Sequence, residues 1–317
     1  MKLITGNDIL ENYDLAAIVE SIKNSYLGIS SGDIIVGQRA FQDTENGGDI
    51  LFGTAFNKKN HRFLALGSPF MPWNGEKDLP IVTGYYMLID TNTGDLLSVV
   101  NGNDIVRLRT AAKSTLSLKY LARKDSTTLG FIGLGDQSEF HAEALCKEFN
   151  ISKILGFTRD QSKRKSTIEK IKAKTNLEPI ITDIETIVKE SDIVCVLSHS
   201  KEPLFNFSDL HKGQTILAGD HAESVDKDIV LNADKVFVDL ISTAENEFGV
   251  VKSAIESGYD INNLSGDLTD LVANKVAGRE SNDEIILFQS LGVMNENLAT
   301  VEYFYDKLGK DISDVQI

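Results

Sequence analysis

The sequence predicts an α/β protein: a doubly wound parallel sheet with helices on both faces, preceded by a smaller α+β region on a mostly antiparallel sheet. Three observations carry this. From about residue 127 to 290, apolar runs of strand length alternate with segments of helical length, as βα units of a parallel sheet do. Before residue 101, short apolar runs follow one another across Gly, Asn and Asp turns, the pattern of antiparallel strands. Between the two lies T-T-L-G-F-I-G-L-G-D-Q-S at 127–138, an apolar run ending in two close glycines and continuing into a helical pattern.

Taken in order, the first strands are expected at 34–41, 50–57, 63–67, 82–89 and 96–100. The stretch 109–123 reads as a linking helix. Strands of the parallel sheet are then expected at 129–132, 153–157, 179–182, 193–197, 215–218, 236–239 and 285–288, and a last helix at 294–308 that could return to the first domain. A chain of 317 residues exceeds one ordinary core and fits two domains. The expected division is 1–120 with 293–317 against 121–292.

The 127–138 stretch reads as a dinucleotide-binding turn of Rossmann type. Leu129, Phe131 and Ile132 suit a buried strand; Gly133 and Gly135 allow a tight turn and close approach of backbone N–H groups to a pyrophosphate. Ala142, Leu145 and Phe149 give the next segment an apolar face, so the positive end of a helix dipole would point at the phosphates. Ser138 replaces the third glycine of the usual fingerprint. The strand at 153–157 arrives after a helix-length gap, as a right-handed crossover requires. Its end decides between cofactors: an acidic residue suits the ribose of NAD, an arginine the 2′-phosphate of NADP. Here stand Thr158 and Arg159, with Lys163 and Arg164 behind, in a chain of formal net charge −15. NADP(H) is therefore the favoured cofactor. NAD(H) is preferred instead if Asp160 faces the ribose.

No window has the apolar length of a membrane span, and the N-terminus lacks a basic-then-apolar signal pattern, so a soluble, cytoplasmic protein is expected. The two cysteines, Cys146 and Cys195, lie in apolar contexts and read as core residues, with no disulfide or metal site. The acidic balance works against nucleic acid and anionic membrane. The partner is then a small molecule.

The segments R-T-A-A-K-S-T-L-S-L-K-Y-L-A-R at 109–123, the turn that follows, L-P-I-V-T-G-Y-Y-M-L-I-D-T-N-T-G at 79–94 and A-G-R-E-S-N-D-E-I-I-L-F-Q-S-L-G at 277–292 together resemble the ornithine cyclodeaminase and mu-crystallin family. The resemblance covers nearly the whole chain in order. It implies a homodimer whose Rossmann domain carries NAD(P) and whose N-terminal domain supplies substrate contacts and the dimer interface. Activities in the family include ornithine cyclodeamination, imine or ketimine reduction, amino-acid dehydrogenation and opine-type cleavage, so the resemblance implies the cofactor class more firmly than the substrate.

Carried over residue by residue, Arg39 and Arg109 resemble arginines that hold a substrate carboxylate, for which the paired guanidinium donors are suited. Thr110 resembles a residue near the cofactor phosphates, and Gly133, Gly135, Asp136 and Gln137 fall in the cofactor turn. Asp220, at the end of an expected strand, resembles the acidic residue acting on the substrate amine. The family's usual strand lysine is missing: ungapped counting from Leu79-Pro80 puts Leu66 there, and leucine can neither bind an anion nor carry a proton. His221-Ala222-Glu223-Ser224 replaces the usual segment after the aspartate, and Asn297 replaces the usual acidic residue after Glu296. Tyr85, Tyr86, His221 or Lys77 could replace the lost group.

Three functions compete. The first is an NADP-dependent oxidoreductase acting on a C=N or C–N bond of a small amino-acid-like substrate bearing a carboxylate, with Asp220 or His221 managing the proton. The second is a cyclodeaminase-like lyase using NAD catalytically. The third is a non-catalytic NADP-binding protein. The departures at Leu66, His221 and Asn297 argue against ordinary ornithine cyclodeamination, and the missing lysine is the best evidence for the third; the first is favoured.

Overall fold

The computed structural model describes residues 1–77, 79–198, 200–219 and 223–316, with the backbone alone at 45, 75, 76 and 163. The chain divides into two compact units, Met1–Arg109 with Val293–Ile317, and Thr110–Gly292.

The first unit opens with β1 (Lys2–Ile4), α1 (Gly6–Asn12) and α2 (Leu15–Ser31). Both helices have side-chain caps: Thr5 and Asp8 form a reciprocal capping box, and Asp14 accepts from the N–H groups of Ala16 and Ala17. Gly32, at φ +79°, ends α2 in the left-handed conformation. No element is expected here from the sequence. Over 34–41, where one strand is expected, the chain forms two, β2 (Ile34–Val36) and β3 (Ala40–Asp43). At Gly37, whose N–H still donates to the Thr54 carbonyl at 2.9 Å, the chain passes so closely that a Cβ would overlap the Thr54 side chain.

The sheet continues through β4 (Asp49–Asn57), β5 (Arg62–Phe70), β6 (Tyr85–Asp90) and β7 (Leu96–Asn101). Among the described residues its order is β1-β7-β6-β5-β4-β2, with β3 also on β4; β1 pairs parallel and the rest antiparallel. One face buries Leu64, Leu66, Tyr86 and Leu88. The other leaves Leu3, Phe52, Tyr85 and Met87 exposed. Helix α3 (Gly102–Leu121) starts directly after β7, earlier than the expected 109, and the division between units falls within it. Gly102 passes Gly84 so closely that a Cβ would lie 2.5 Å from the Gly84 carbonyl oxygen.

The second unit alternates strand and helix: β8 (Thr128–Ile132), α4 (Ser138–Glu148), β9 (Lys153–Phe157), α5 (Gln161–Thr175), β10 (Ile180–Ile181), α6 (Ile184–Glu190), β11 (Ile193–Val196) and β12 (Thr215–Gly219). It goes on with α7 (Lys227–Asn232), β13 (Lys235–Val238), α8 (Ile241–Asn246), α9 (Val250–Glu256), β14 (Gly266–Asp267), α10 (Leu268–Val272) and β15 (Ile286–Ser290). All pairings are parallel, in the order β10-β9-β8-β11-β12-β15-β13-β14. Every residue of β11, β12 and β15 is buried, as helices on both faces demand. The strand order reverses between β8 and β11, which places a ligand crevice at their carboxyl ends. The chain then returns to the first unit in α11 (Met294–Leu308).

Cys195 is buried as expected, but Cys146 is half-buried on α4, a correction to its reading as core; burial still pushes its thiol up to about 11. No described helix is long and apolar enough to cross a membrane.

Candidate functional site

The β8–α4 turn lies at the topological switch point. Gly133 has φ +110°, and a Cβ there would sit 2.4 Å from the Leu197 carbonyl oxygen, so both backbone conformation and contact with the chain after β11 require glycine. Gly135 differs. A Cβ on it would meet nothing within 4 Å, and the residue is exposed. The protein's own packing leaves that space open, the cradle a pyrophosphate needs for close approach to the backbone. Gln137 Oε1 is buried with no hydrogen-bond partner among the described residues, and α4 begins without a side-chain cap, which suits an anion at its N-terminus. Asp136 is exposed in the same turn. These residues fit a dinucleotide.

The turn is braced from beneath by residues the sequence reading missed. His141, fully buried, places Nδ1 2.7 Å from the Gln137 carbonyl and Nε2 3.0 Å from Ser114 Oγ. A carbonyl can only accept, so Nδ1 carries a proton and donates to it. Ser138 Oγ donates to the Gly135 carbonyl at 2.7 Å. Ser114 stands in R-T-A-A-K-S, but nothing in that run signals its partner. Thr110, one turn before Ser114 on α3, is half-buried.

At the end of β9, Thr158 Oγ1 accepts from the Asp160 N–H at 3.2 Å. Asp160 caps α5, accepting from Ser162 N–H at 2.8 Å and Ser162 Oγ at 2.6 Å. Arg159 is exposed, and Arg164 is half-buried with Nε lacking a hydrogen-bond partner among the described residues. Asp220 and His221 lie outside the described residues.

The first unit gathers a second constellation. Arg109 NH1 donates to Glu296 Oε2 at 3.1 Å, and the Tyr26 hydroxyl donates to Glu296 Oε1 at 2.6 Å. Glu296 is fully buried, whereas Arg109 keeps some exposure, and Arg109 Nε has no hydrogen-bond partner among the described residues. Tyr86 lies close by, and its hydroxyl donates to Asn297 Oδ1 at 2.7 Å. Burial drives the Tyr86 phenol far above its usual pKa, with Arg109 opposing and Glu296 reinforcing the shift, so it stays a neutral donor. Leu66 is the direct cross-strand partner of Tyr86. Arg39 is half-buried in the turn between β2 and β3. Tyr85 does not join this constellation: it is 54 % exposed, on the face of β6 opposite to Tyr86. Lys77 is also exposed. Among the described residues, no group of His, Cys, Asp and Glu could hold a metal ion.

The model of the ornithine cyclodeaminase/mu-crystallin family matches residues 67–311. The Δ1-pyrroline-2-carboxylate reductase of Colwellia psychrerythraea is 27 % identical over 323 residues, covering 97 % of this chain and 99 % of that protein. The iminosuccinate reductase of Paracoccus denitrificans is 28 % identical over 238 residues, covering 74 % of this chain and 73 % of that one. Among solved structures, the Δ1-pyrroline-2-carboxylate reductase of Thermococcus litoralis, in complex with NADH and L-proline, superposes with a TM-score of 0.94 at 28 % identity, covering 99 % of this chain and 100 % of that chain.

Proposed function

The chain belongs to the ornithine cyclodeaminase/mu-crystallin family, and from that premise we propose that it is a nicotinamide-dependent oxidoreductase reducing the C=N bond of a small imino acid. The observation that carries the reading is Arg109. Glu296 holds one edge of its guanidinium and Tyr26 holds Glu296, while Nε has no hydrogen-bond partner among the described residues. Such an oriented cation suits a substrate carboxylate in plane. Arg39 is assigned to the same carboxylate. The named reductases act on imines bearing a carboxylate, one cyclic and one acyclic.

Gly133, Gly135, Asp136, Gln137 and Thr110 are assigned to the cofactor's phosphates and Thr158 to its adenosine ribose. Nicotinamide bound there supplies the hydride that reduces the imine carbon. The nitrogen then requires one proton, a role we assign to Asp220 or His221 from the sequence alone. We assign Arg159 and Arg164 to a 2′-phosphate, hence NADP(H), because Asp160 serves as the cap of α5. NAD(H) is the second reading, favoured by the NADH held in the Thermococcus litoralis structure. The exposed sheet face of Leu3, Phe52, Tyr85 and Met87 is assigned to a second copy of the chain, since an apolar face of this kind marks an interface.

The test follows nicotinamide absorbance with Δ1-pyrroline-2-carboxylate, iminosuccinate and L-ornithine. Net oxidation of NADPH or NADH by an imine supports the reading. Turnover of ornithine without net absorbance change would replace the reductase by a lyase, and no turnover with cofactor bound would leave a binding protein. Arg159→Asp should abolish a preference for NADPH, and equal affinities in the unmodified protein would remove the 2′-phosphate assignment.

A further inference from the structure

Helix α2 packs on α11, and at one point of that contact two successive residues of each helix meet through polar side chains. Asn295 Nδ2 donates to Ser25 Oγ at 2.9 Å, and the Tyr26 hydroxyl donates to Glu296 Oε1 at 2.6 Å. Ser25 is nearly, and the other three fully, buried. The buried stripe of α2, Leu15, Ile18, Val19 and Ile22, would continue as well into phenylalanine at 26. The hydroxyl adds little to the area buried and must find an acceptor. Burying it against a carboxylate is costly, so stability alone is a poor reason for such a contact.

What distinguishes the Tyr26 bond is how it divides the Glu296 carboxylate. Oε2 accepts from Arg109 NH1 at 3.1 Å, while Oε1 turns to Tyr26. A carboxylate facing a guanidinium frequently places both oxygens on two of its N–H donors, and that fork is the stronger contact. Here the pair meets through one nitrogen. Tyr86, the other phenol near the pair, gives its proton to Asn297 Oδ1 at 2.7 Å and so does not compete for Glu296. The Nε–NH2 edge of Arg109 stays outside the Glu296 contact, and Nε has no hydrogen-bond partner among the described residues. That edge is the one a second carboxylate can fork.

We propose that Tyr26 is a positioning residue for the substrate: by holding Glu296 Oε1 it keeps that carboxylate from forking onto Arg109, and so reserves the Nε–NH2 edge for the carboxylate of the imino acid. The proposal rests on the assignment of the substrate carboxylate to Arg109. Without the hydroxyl, a turn of the Glu296 carboxylate brings Oε1 to a second guanidinium nitrogen, and the protein's own anion then competes with the substrate's. The buried charge stays paired in both arrangements, so the fold survives the change while binding does not.

The test uses the full-length protein and Tyr26→Phe, which removes the hydroxyl and keeps the ring. The variant should fold and melt within a few degrees of the unmodified protein. The KM for the imine turned over, Δ1-pyrroline-2-carboxylate or iminosuccinate, should rise about tenfold or more, the size of one lost charge-assisted bond, with a smaller change in kcat. Adding Glu296→Gln should bring KM back down by about threefold or more, because a neutral amide does not compete for the guanidinium as a carboxylate does. A merely structural bond predicts the opposite, a second loss on top of the first. Ser25→Ala loosens the same helix contact without touching Glu296, and should lower the melting temperature with KM unchanged. The proposal is overturned by an unchanged KM in Tyr26→Phe, by an equal rise in Ser25→Ala, or by a KM that Glu296→Gln does not lower. A Tyr26→Phe protein that fails to fold overturns it too, since the freed carboxylate would then have found no second donor. If Arg109→Met leaves KM unchanged, the carboxylate assignment fails first.

Discussion

Replacing Gly135 by alanine separates what the fold needs from what a cofactor needs. A Cβ at this position meets no atom within 4 Å, and the backbone is outside the left-handed region, so alanine is strained neither by contact nor by conformation. By narrowing the unfolded ensemble it should stabilise the protein by ~0.4–1 kcal/mol. The same substitution at Gly133 is the control. There the Cβ would lie 2.4 Å from the Leu197 carbonyl oxygen at φ +110°. Overpacking costs ~1–3 kcal/mol and the left-handed conformation ~1–2 kcal/mol, a loss of about 2–5 kcal/mol altogether. Thermal melting without ligand should therefore leave Gly135→Ala equal to or above the unmodified protein and Gly133→Ala several degrees below it. Titration with NADPH and NADH, followed by nicotinamide fluorescence, should show Gly135→Ala binding at least tenfold more weakly, about 1.4 kcal/mol. The added methyl occupies the space through which the pyrophosphate reaches the backbone. A Gly135→Ala protein that melts normally and binds both nucleotides with unmodified affinity would refute the placement of the phosphates.

Burial raises the Glu302 pKa, opposed by hydrogen bonds from Asn57 and Asn60 and by Arg62. An acid whose folded pKa is raised contributes stability that is present below its unfolded value, ~4.3, and lost as pH rises through the folded value. The melting temperature of Glu302→Gln relative to the unmodified protein should thus climb as pH rises from the unfolded value through the folded one and level off above it; a difference flat across that range would contradict the sign. Met87→Glu places a charge on the exposed face of β6, and should shift sedimentation at micromolar concentration from dimer to monomer. If the unmodified protein already sediments as a monomer, that face has another partner.

How far the sequence revealed this molecule depended on the range of the interactions involved. The parallel sheet was legible because burial on both faces makes each central strand a continuous apolar run, and because Gly133 answers to a local backbone requirement. Helices α1 and α2 were legible in principle, through the Thr5–Asp8 capping box and the Asp14 cap, yet short polar signals are easily read as turns. The close approach at Gly37 was not legible, since it is made to Thr54 on a neighbouring strand. The same holds for the site. Arg109 stood out in R-T-A-A, but its partner Glu296 lies 187 residues away, and Tyr26, which orients Glu296, is 270 residues from it. Tyr85 and Tyr86 look equivalent in sequence; only the side-chain alternation of β6 sends one to solvent and the other into the constellation.

Two departures from the family pattern, noted separately along the chain, prove to be neighbours. The family resemblance read from the sequence implies a lysine at the position of Leu66 and an acid at that of Asn297. Leu66 faces Tyr86 across β5 and β6, and the Tyr86 hydroxyl bonds Asn297 Oδ1 at 2.7 Å. A lysine at 66, about as long as a tyrosine, would find a neutral phenol and a neutral amide beside it, with Arg109 near that phenol repelling it and Glu296 near it already bonded to Arg109 and Tyr26. Leu66→Lys alone should therefore bury an unpaired charge and cost ~3–5 kcal/mol, with no gain in L-ornithine turnover. Adding Asn297→Asp supplies the missing counter-charge, and the double variant should recover most of the lost melting temperature. If Leu66→Lys melts like the unmodified protein, the 66 side chain is not enclosed with Tyr86 and Asn297. If the single variant loses stability and Asn297→Asp restores none of it, the two positions are not coupled, and the absence of the lysine has a cause other than the absence of its acid.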